Sequence, residues 1–332
     1  MVSMDDVAAR AQVSKMTVSR VLNGNPAVSD AVRVKVLAVC QELHYRLNHN
    51  IQDLVLKSRR GTTRNIALVL VGKEFADPAY SRLIDFVAEE VNRAHYQLML
   101  VKLTREEKTI YALPPVLRDE RIDGILLTGN LDIAVMALIR DMGVPCVTIG
   151  NYDDAILGSC SNVRLNIHQV MAAAVKILCR QGCRRIAFVD ENPDNFAVRE
   201  WYDAFVRSLE QQGLDPKVAP TFWGTGPFSG IYHLLEPVFR QPQLPFDGIY
   251  CCDYRQAEEI VCLARGRCGF DCKIDFKLCC GRSFEYYKLQ IPADYIDFNK
   301  NGMVAAAFHQ LIGLLEGKME KQTIVVNYDH EE

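Results

Sequence analysis

No apolar run in this 332-residue chain approaches the roughly 18 residues needed to cross a bilayer. No low-complexity tract interrupts it. The first twenty residues carry Asp5, Asp6, Arg10, Lys15 and Arg20, so the apolar stretch of a secretory signal is missing, and the expected location is the cytoplasm with no membrane partner. No Cys-x2-Cys pair occurs among the twelve cysteines, and no metal site is expected. Seven of them (Cys251, Cys252, Cys262, Cys268, Cys272, Cys279, Cys280) crowd into one stretch. There the strand-like pairs Cys251-Cys252 and Cys279-Cys280 read as small buried hydrophobes, and all twelve as reduced thiols. No Gly-x-Gly-x-x-Gly or Walker loop opens a helix, so no nucleotide cofactor is expected. The seven histidines are scattered, and no Ser-His-Asp or Cys-His set stands out, which argues against an enzyme.

The length fits two or three domains, and 49% hydrophobic with 24% charged residues is the balance of a globular protein. The net charge of −3 is unevenly spread. Residues 1–64 hold ten basic and five acidic side chains, +5; the remainder holds 28 basic and 36 acidic, −8. A basic head on an acidic body suits a DNA-binding domain fused to something else, though a solvated basic face would give the same split.

Helical patterning starts at once. Ser3 followed by Asp6 resembles a capping box, with Asp5 and Asp6 in the first turn. Val7, Ala8 and Ala11 make one apolar stripe. Ser14 can cap a second helix, buried through Val18, Val21 and Leu22. Asn23-Gly24-Asn25-Pro26 stops it, and a third helix after Ser29 has its face on Val32, Val36, Val39 and Leu43. Three short helices with a tight Ala11-Gln12-Val13 link form the helix-turn-helix plan. The second helix exposes Lys15, Met16, Thr17, Ser19 and Arg20. Lys and Arg donate to guanine edges, Met touches a thymine methyl, and Thr and Ser reach phosphates. On periodicity alone, a generic three-helix bundle is an equal alternative.

The particular residues go further. Asp6-Val7-Ala8, Val13-Ser14, Thr17-Val18-Ser19-Arg20-Val21-Leu22-Asn23, Val28-Ser29 and Leu43-x-Tyr45 closely resemble the head of the lactose-repressor (LacI/GalR) family. The resemblance implies base reading by Lys15, Met16 and Arg20, backbone contacts from Thr17, Ser19 and Asn23, and a place for Ser14 in the same DNA-binding set. The turn departs from the family at Gln12, where Gly is frequent; a left-handed backbone there would cost about 1 kcal/mol. The family's hinge helix wedges a leucine into the minor groove, and Leu54 stands at that position. Its surroundings depart from pattern at Leu47, Asn50, Ile51 and Asp53. Leu56 in a shifted register, or a plain solvated linker, are alternatives. Lys57, Arg59, Arg60 and Arg64 make the linker basic.

From Asn65 the pattern becomes β-α-β-α. Strands are expected at Ile66–Val71, Leu98–Leu103, Ile122–Leu127, Val144–Ile149, Ile186–Val189, Gly248–Cys252 and Phe276–Gly281. Helices are expected at Pro78–Ala94, 167–181 and 196–212. Two serial βα sets suggest two doubly wound lobes. Asp123-Gly124-Ile125, Gly143-Val144-Pro145 and Gly182-x-Arg184-Arg185-Ile186-Ala187 stand at family positions. The expected fold is therefore an N-terminal all-α helix-turn-helix, a three-helix head (1–47) plus hinge (48–64), followed by an α/β periplasmic-binding-protein-like core of two doubly wound parallel-sheet lobes (65–332). Lobe 1 is expected at about 65–160 plus 293–318, and lobe 2 at about 161–292 plus 319–332.

Ligands of such folds sit at the carboxyl ends of the strands. The expected ligand-binding residues are Asp77, Tyr80, Arg199, Trp201, Trp223, Asp253 and Arg282. Trp201 stands where the family usually has a sugar-gripping Arg, with Arg199 two residues earlier, and Trp223 can wall a sugar face; both tryptophans can equally be core residues. If the ligand is an anion, Arg282 is its expected partner. The resemblance implies a sequence-specific transcription regulator binding near-palindromic double-stranded operator DNA as a homodimer, with a small-molecule effector of carbohydrate type. An effector-binding module whose head no longer recognises an operator is the alternative.

Overall fold

The computed structural model describes residues 4–22, 28–43, 63–76, 78–104, 114–118, 122–190, 196–224, 230–252, 254–271, 274–282 and 291–328. The chain divides into two units, Met1–Thr62 and Thr63–Glu332.

In the first unit, α1 (Met4–Ala11), α2 (Lys15–Leu22) and α3 (Asp30–Glu42) pack pairwise around Val7, Ala8, Ala11, Val18, Val21, Val36 and Val39. Val13, Val32 and Leu43 close the edges of this cluster. These are the stripes set by i, i+3, i+4 spacing. The turn after α1 is a Schellman motif: Val13 N–H donates to the Ala8 carbonyl and Gln12 N–H to the Ala9 carbonyl. It places Gln12 at φ 51°, the left-handed backbone expected there. Ser3, Asn23 and the hinge residues, Leu54 included, lie outside the described residues.

The second unit holds two parallel sheets. The first has order β11-β5-β4-β3-β1-β2, from β1 (Asn65–Val71), β2 (Gln97–Leu103), β3 (Gly124–Gly129), β4 (Cys146–Ile149), β5 (Ser161–Leu165) and β11 (Thr323–Val326). The second has order β10-β9-β8-β6-β7, from β6 (Ile186–Asp190), β7 (Thr221–Trp223), β8 (Gly248–Cys251), β9 (Lys277–Arg282) and β10 (Asp294–Asp297). Helices α4 (Pro78–Arg93) and α12 (Lys300–Leu315) lie on the first sheet. Helices α8 (Ile167–Arg180) and α9 (Phe196–Gln211) pack together beside the second sheet. Helix α11 (Tyr254–Leu263) lies against β8 and β9. One cluster runs from Ile66, Leu68 and Leu126 through α8 to Phe188 and Tyr250, so the two sheets share a continuous core.

The sheet topology corrects the lobe limits expected from sequence. Residues 161–165 and 323–326 belong to the first sheet, not the second lobe, and 294–297 to the second sheet, not the first lobe. The physical reason is polarity. β5 reads Ser-Asn-Val-Arg-Leu, and β11 is an edge strand with alternate residues exposed, so neither makes the apolar run by which central strands are read. The chain thus leaves the first sheet after Leu165 and returns after Phe298. The two crossings are stitched at a third segment: Asn166 Nδ2 donates to Asn327 Oδ1 (3.0 Å), and Asn299 Nδ2 to the Asn327 carbonyl (3.0 Å). Asn299 sits at φ 46° and caps α12 through Gly302 N–H.

Candidate nucleic-acid interface and effector site

Helix α2 is anchored on one side and open on the other. Val18 and Val21 are buried, while Lys15, Met16 and Arg20 are exposed and Thr17 and Ser19 half-buried. Ser14 caps the helix, its Oγ accepting from Thr17 N–H at 3.1 Å and lying 2.8 Å from Thr17 Oγ1. These two hydroxyls therefore also order the first turn. Lys15 Nζ donates to Asp5 Oδ2 at 2.8 Å, with both side chains more than half exposed. Met16 is 64% exposed, which leaves a long apolar side chain in water beside two cations. Residues 15, 16, 19 and 20 fall on one helical face. That face carries two donors, a hydroxyl and an apolar tip, the set needed to read base edges and grip phosphates.

The effector residues expected from sequence are only partly assembled. Asp77 and Asp253 lie outside the described residues, and the Arg282 side chain, at the end of β9, is likewise not described. Tyr80, half-buried in α4, has Lys73 Nζ 5.7 Å from its ring centroid. Arg199 is exposed on α9. Trp223 ends β7 and meets Phe188 (5.6 Å) and Tyr202 (5.2 Å) edge-on; Trp201 stacks on Tyr250 (6.4 Å) and lies against Phe298 (5.2 Å). Both tryptophans are thus held by core aromatics while staying half exposed, Trp223 on the edge strand β7 and Trp201 on α9 over the central strand β8. Gly281, in β9, allows this packing: a Cβ there would fall 2.0 Å from the Phe298 ring and 2.3 Å from the Cys252 carbonyl.

Other groups at the carboxyl ends come from residues the sequence reading passed over. Asn151, just beyond β4, bonds the Leu165 main chain through both ends of its amide and donates to Glu200 Oε2 at 3.1 Å. Glu200, on α9, also pairs with Arg164 of β5. This Arg164–Glu200–Asn151 set ties the first sheet to the second sheet's helix. Tyr152 Oη lies 3.1 Å from Gly129 N–H, which it accepts, and 3.2 Å from the Gly129 carbonyl. Burial pushes its phenol up to about 12, against smaller opposing effects of Thr128 and Gly129. Gly129 itself, at φ 105°, has no room for a side chain, since a Cβ would lie 2.4 Å from the Val71 carbonyl. In the second sheet, buried Asp190 ends β6, with Gln256 Nε2 3.4 Å from its Oδ1. The signal for Asn151 and Tyr152 was available: both directly follow an apolar strand, where ligand groups of such sheets gather. Arg164 and Glu200 carry no such signal, because their pairing joins residues far apart in sequence.

A helix-turn-helix head joined to two parallel sheets with polar and aromatic groups at their carboxyl ends is the plan of a DNA-binding regulator. Residues 3–48 match the family described as "Bacterial regulatory proteins, lacI family". The NTD biosynthesis operon regulator NtdR of Bacillus subtilis (strain 168) is 34% identical over 255 residues, 75% of this chain and 74% of that protein. Catabolite control protein A of Priestia megaterium is 26% identical over 249 residues, 74% and 72% of the two chains. Two solved structures share the fold over 99% of this chain. One is the transcriptional regulator CelR–cellobiose complex (TM-score 0.68, 22% identity, 98% of that chain); the other is the lac repressor dimer bound to operator and the anti-inducer ONPF (TM-score 0.68, 19% identity, 97%). The chain belongs to the lacI family of bacterial regulatory proteins.

Proposed function

We propose that this protein is a ligand-responsive transcription regulator of the cytoplasm, a homodimer whose two heads read the half-sites of a near-palindromic operator. Lys15, Met16 and Arg20 contact bases. Ser14, Thr17, Ser19 and Asn23 contact the backbone, and Leu54 enters the minor groove. The observation that carries the reading is the open face of α2 on a packed three-helix bundle. The lac repressor solved as a dimer on its operator supports the symmetric arrangement, in which half-sites lie about one helical turn apart.

The effector is a sugar or sugar derivative bound at the carboxyl ends of the two sheets. Half-exposed Trp201, Trp223 and Tyr80 offer apolar faces, and Asn151 and Asp190 offer polar groups, the mixture suited to a polyhydroxy ligand. The cellobiose complex of CelR supports this class. Arg199, Asp77, Asp253 and Arg282 are proposed as further contacts.

Footprinting on the upstream genomic DNA at two salt concentrations tests the head. A discrete near-palindromic footprint, weakened by about 1–3 kcal/mol in Arg20→Ala, is expected. Sequence-blind retention that vanishes with salt would instead favour a binding module with a degenerate head. The chain's two tryptophans both lie at the proposed effector site. Intrinsic fluorescence should therefore shift on titration with the right sugar, and a library that leaves it unmoved would count against the assignment.

A further inference from the structure

Cys146 opens β4, and Cys160 stands one residue before β5. Those strands pair in parallel with Val147 opposite Ser161. Continued one step back, that register sets Cys146 opposite Cys160. Register partners in adjacent strands lie roughly 4.8 Å apart and point to the same face, inside the roughly 4.4–6.8 Å Cα range of disulfides. The Cys160 thiol donates to the Cys146 carbonyl at 3.3 Å. Both side chains are free thiols, half-buried, on the face shared with Met142, Val144 and Ile156. We propose that Cys146 and Cys160 form a reversible oxidation site, in which a hydroperoxide converts the two thiols to a disulfide bridging β4 and β5.

The surroundings assign the roles. The side-chain interaction with Cys146 sets Cys160 below the usual thiol range against the opposing effect of burial, and the positive charges of Lys321 and Arg140 and the Thr148 main chain act in the same downward direction. Cys146 is pushed up, first by that interaction and then by burial. The arrangement assigns Cys160, which alone of the two also feels the positive charge of Arg140, as the attacking thiolate and Cys146 as the resolving thiol. The Cys160 sulfur attacks one peroxide oxygen, the O–O bond breaks, and the departing hydroxide takes up a proton as water, leaving a sulfenic acid. The Cys146 sulfur then attacks Cys160, the S–O bond breaks, and a second water leaves with the Cys146 proton. Two thiols lose two hydrogens and one hydrogen peroxide becomes two waters.

A second pair supplies an internal comparison. Cys251 of β8 and Cys280 of β9 are also register partners. Both are fully buried among Ala187, Ile249, Ala257 and Leu278, so the oxidant has no path to them.

The test treats the full chain with hydrogen peroxide, blocks remaining thiols by alkylation and maps disulfides by mass spectrometry. A Cys146–Cys160 linked peptide that appears before any Cys251–Cys280 link and disappears with dithiothreitol is expected, with an upward shift of Tm in the oxidised form. Cys146→Ser should abolish the link and let Cys160 proceed to sulfinic acid, a gain of two oxygens. Cys160→Ser should leave Cys146 alkylatable. The proposal is overturned if both thiols stay fully alkylatable at doses that oxidise exposed Cys262, or if Cys160 reaches sulfinic acid equally fast with and without Cys146.

Discussion

At 60% exposure the Lys15 side chain can exchange the Asp5 carboxylate for a phosphate or a base edge at little cost, because exposed ion pairs contribute about 0–1 kcal/mol. Asp5→Asn should thus change the stability of the head by less than about 1 kcal/mol. It should tighten operator binding, since Lys15 no longer has to be released and a negative charge beside the DNA is gone. Parallel urea melts and operator titrations check this, and weaker binding by Asp5→Asn would show that Asp5 orients Lys15 instead of occupying it. Gln12 poses a different residue-level question. Its left-handed backbone is imposed by the Schellman hydrogen bonds of Gln12 and Val13. Gln12→Gly removes the Cβ conflict and should stabilise the head by about 1 kcal/mol, read as a rise in the urea midpoint at unchanged slope.

Among the elements, legibility followed apolar patterning. β1 and the helices α4, α8 and α9 were readable because their apolar residues are continuous or spaced at helical period. The short or polar strands β5, β7, β10 and β11 were not. Helix α10 (Gly230–Phe239) carries Pro237 in its interior, a breaker in any sequence reading. The exposed face of α2 was legible in the sequence, since one helix presents the whole of it. The proposed effector site was not, because its groups arrive from separate strand ends that only the fold gathers. The end of β3 gives a testable case. Tyr152 is raised from 10.0 to about 12, so the folded state holds the neutral phenol more tightly than the unfolded chain does. That contribution is fully present below pH 10 and is lost as pH rises from 10 through about 12. Tyr152→Phe should lower stability at neutral pH, by removing the hydrogen bonds to Gly129, yet flatten the alkaline limb of the melting curve. Parallel alkaline limbs for the two proteins would dissociate Tyr152 from that limb.

For the molecule as a whole, the Arg164–Glu200–Asn151 set is a polar tie between the sheets at the ends where the effector is proposed to bind. If effector binding draws the two lobes together, closure and binding share one equilibrium. Glu200→Gln keeps the shape but removes the charge, and should cost about 1–2 kcal/mol through the lost charge-assisted bond. Lobes less firmly tied would populate the closed form less and so bind effector more weakly. A lower Tm together with a raised effector Kd is the expected pair of results; a lower Tm at unchanged Kd would make the tie a fold contact only.

The meeting of Asn166 and Asn299 on Asn327 has a consequence for how such a chain can change over generations. Residues 166–298 form an insertion whose entry and exit open at the same spot. A donor segment with similarly close ends could be grafted there while every strand of the first sheet kept its neighbours. A half of other chemistry than the one bearing Trp201 and Trp223 could enter there if it also matched the shared core of Ile66, Leu68 and Leu126, with the head left unchanged in sequence.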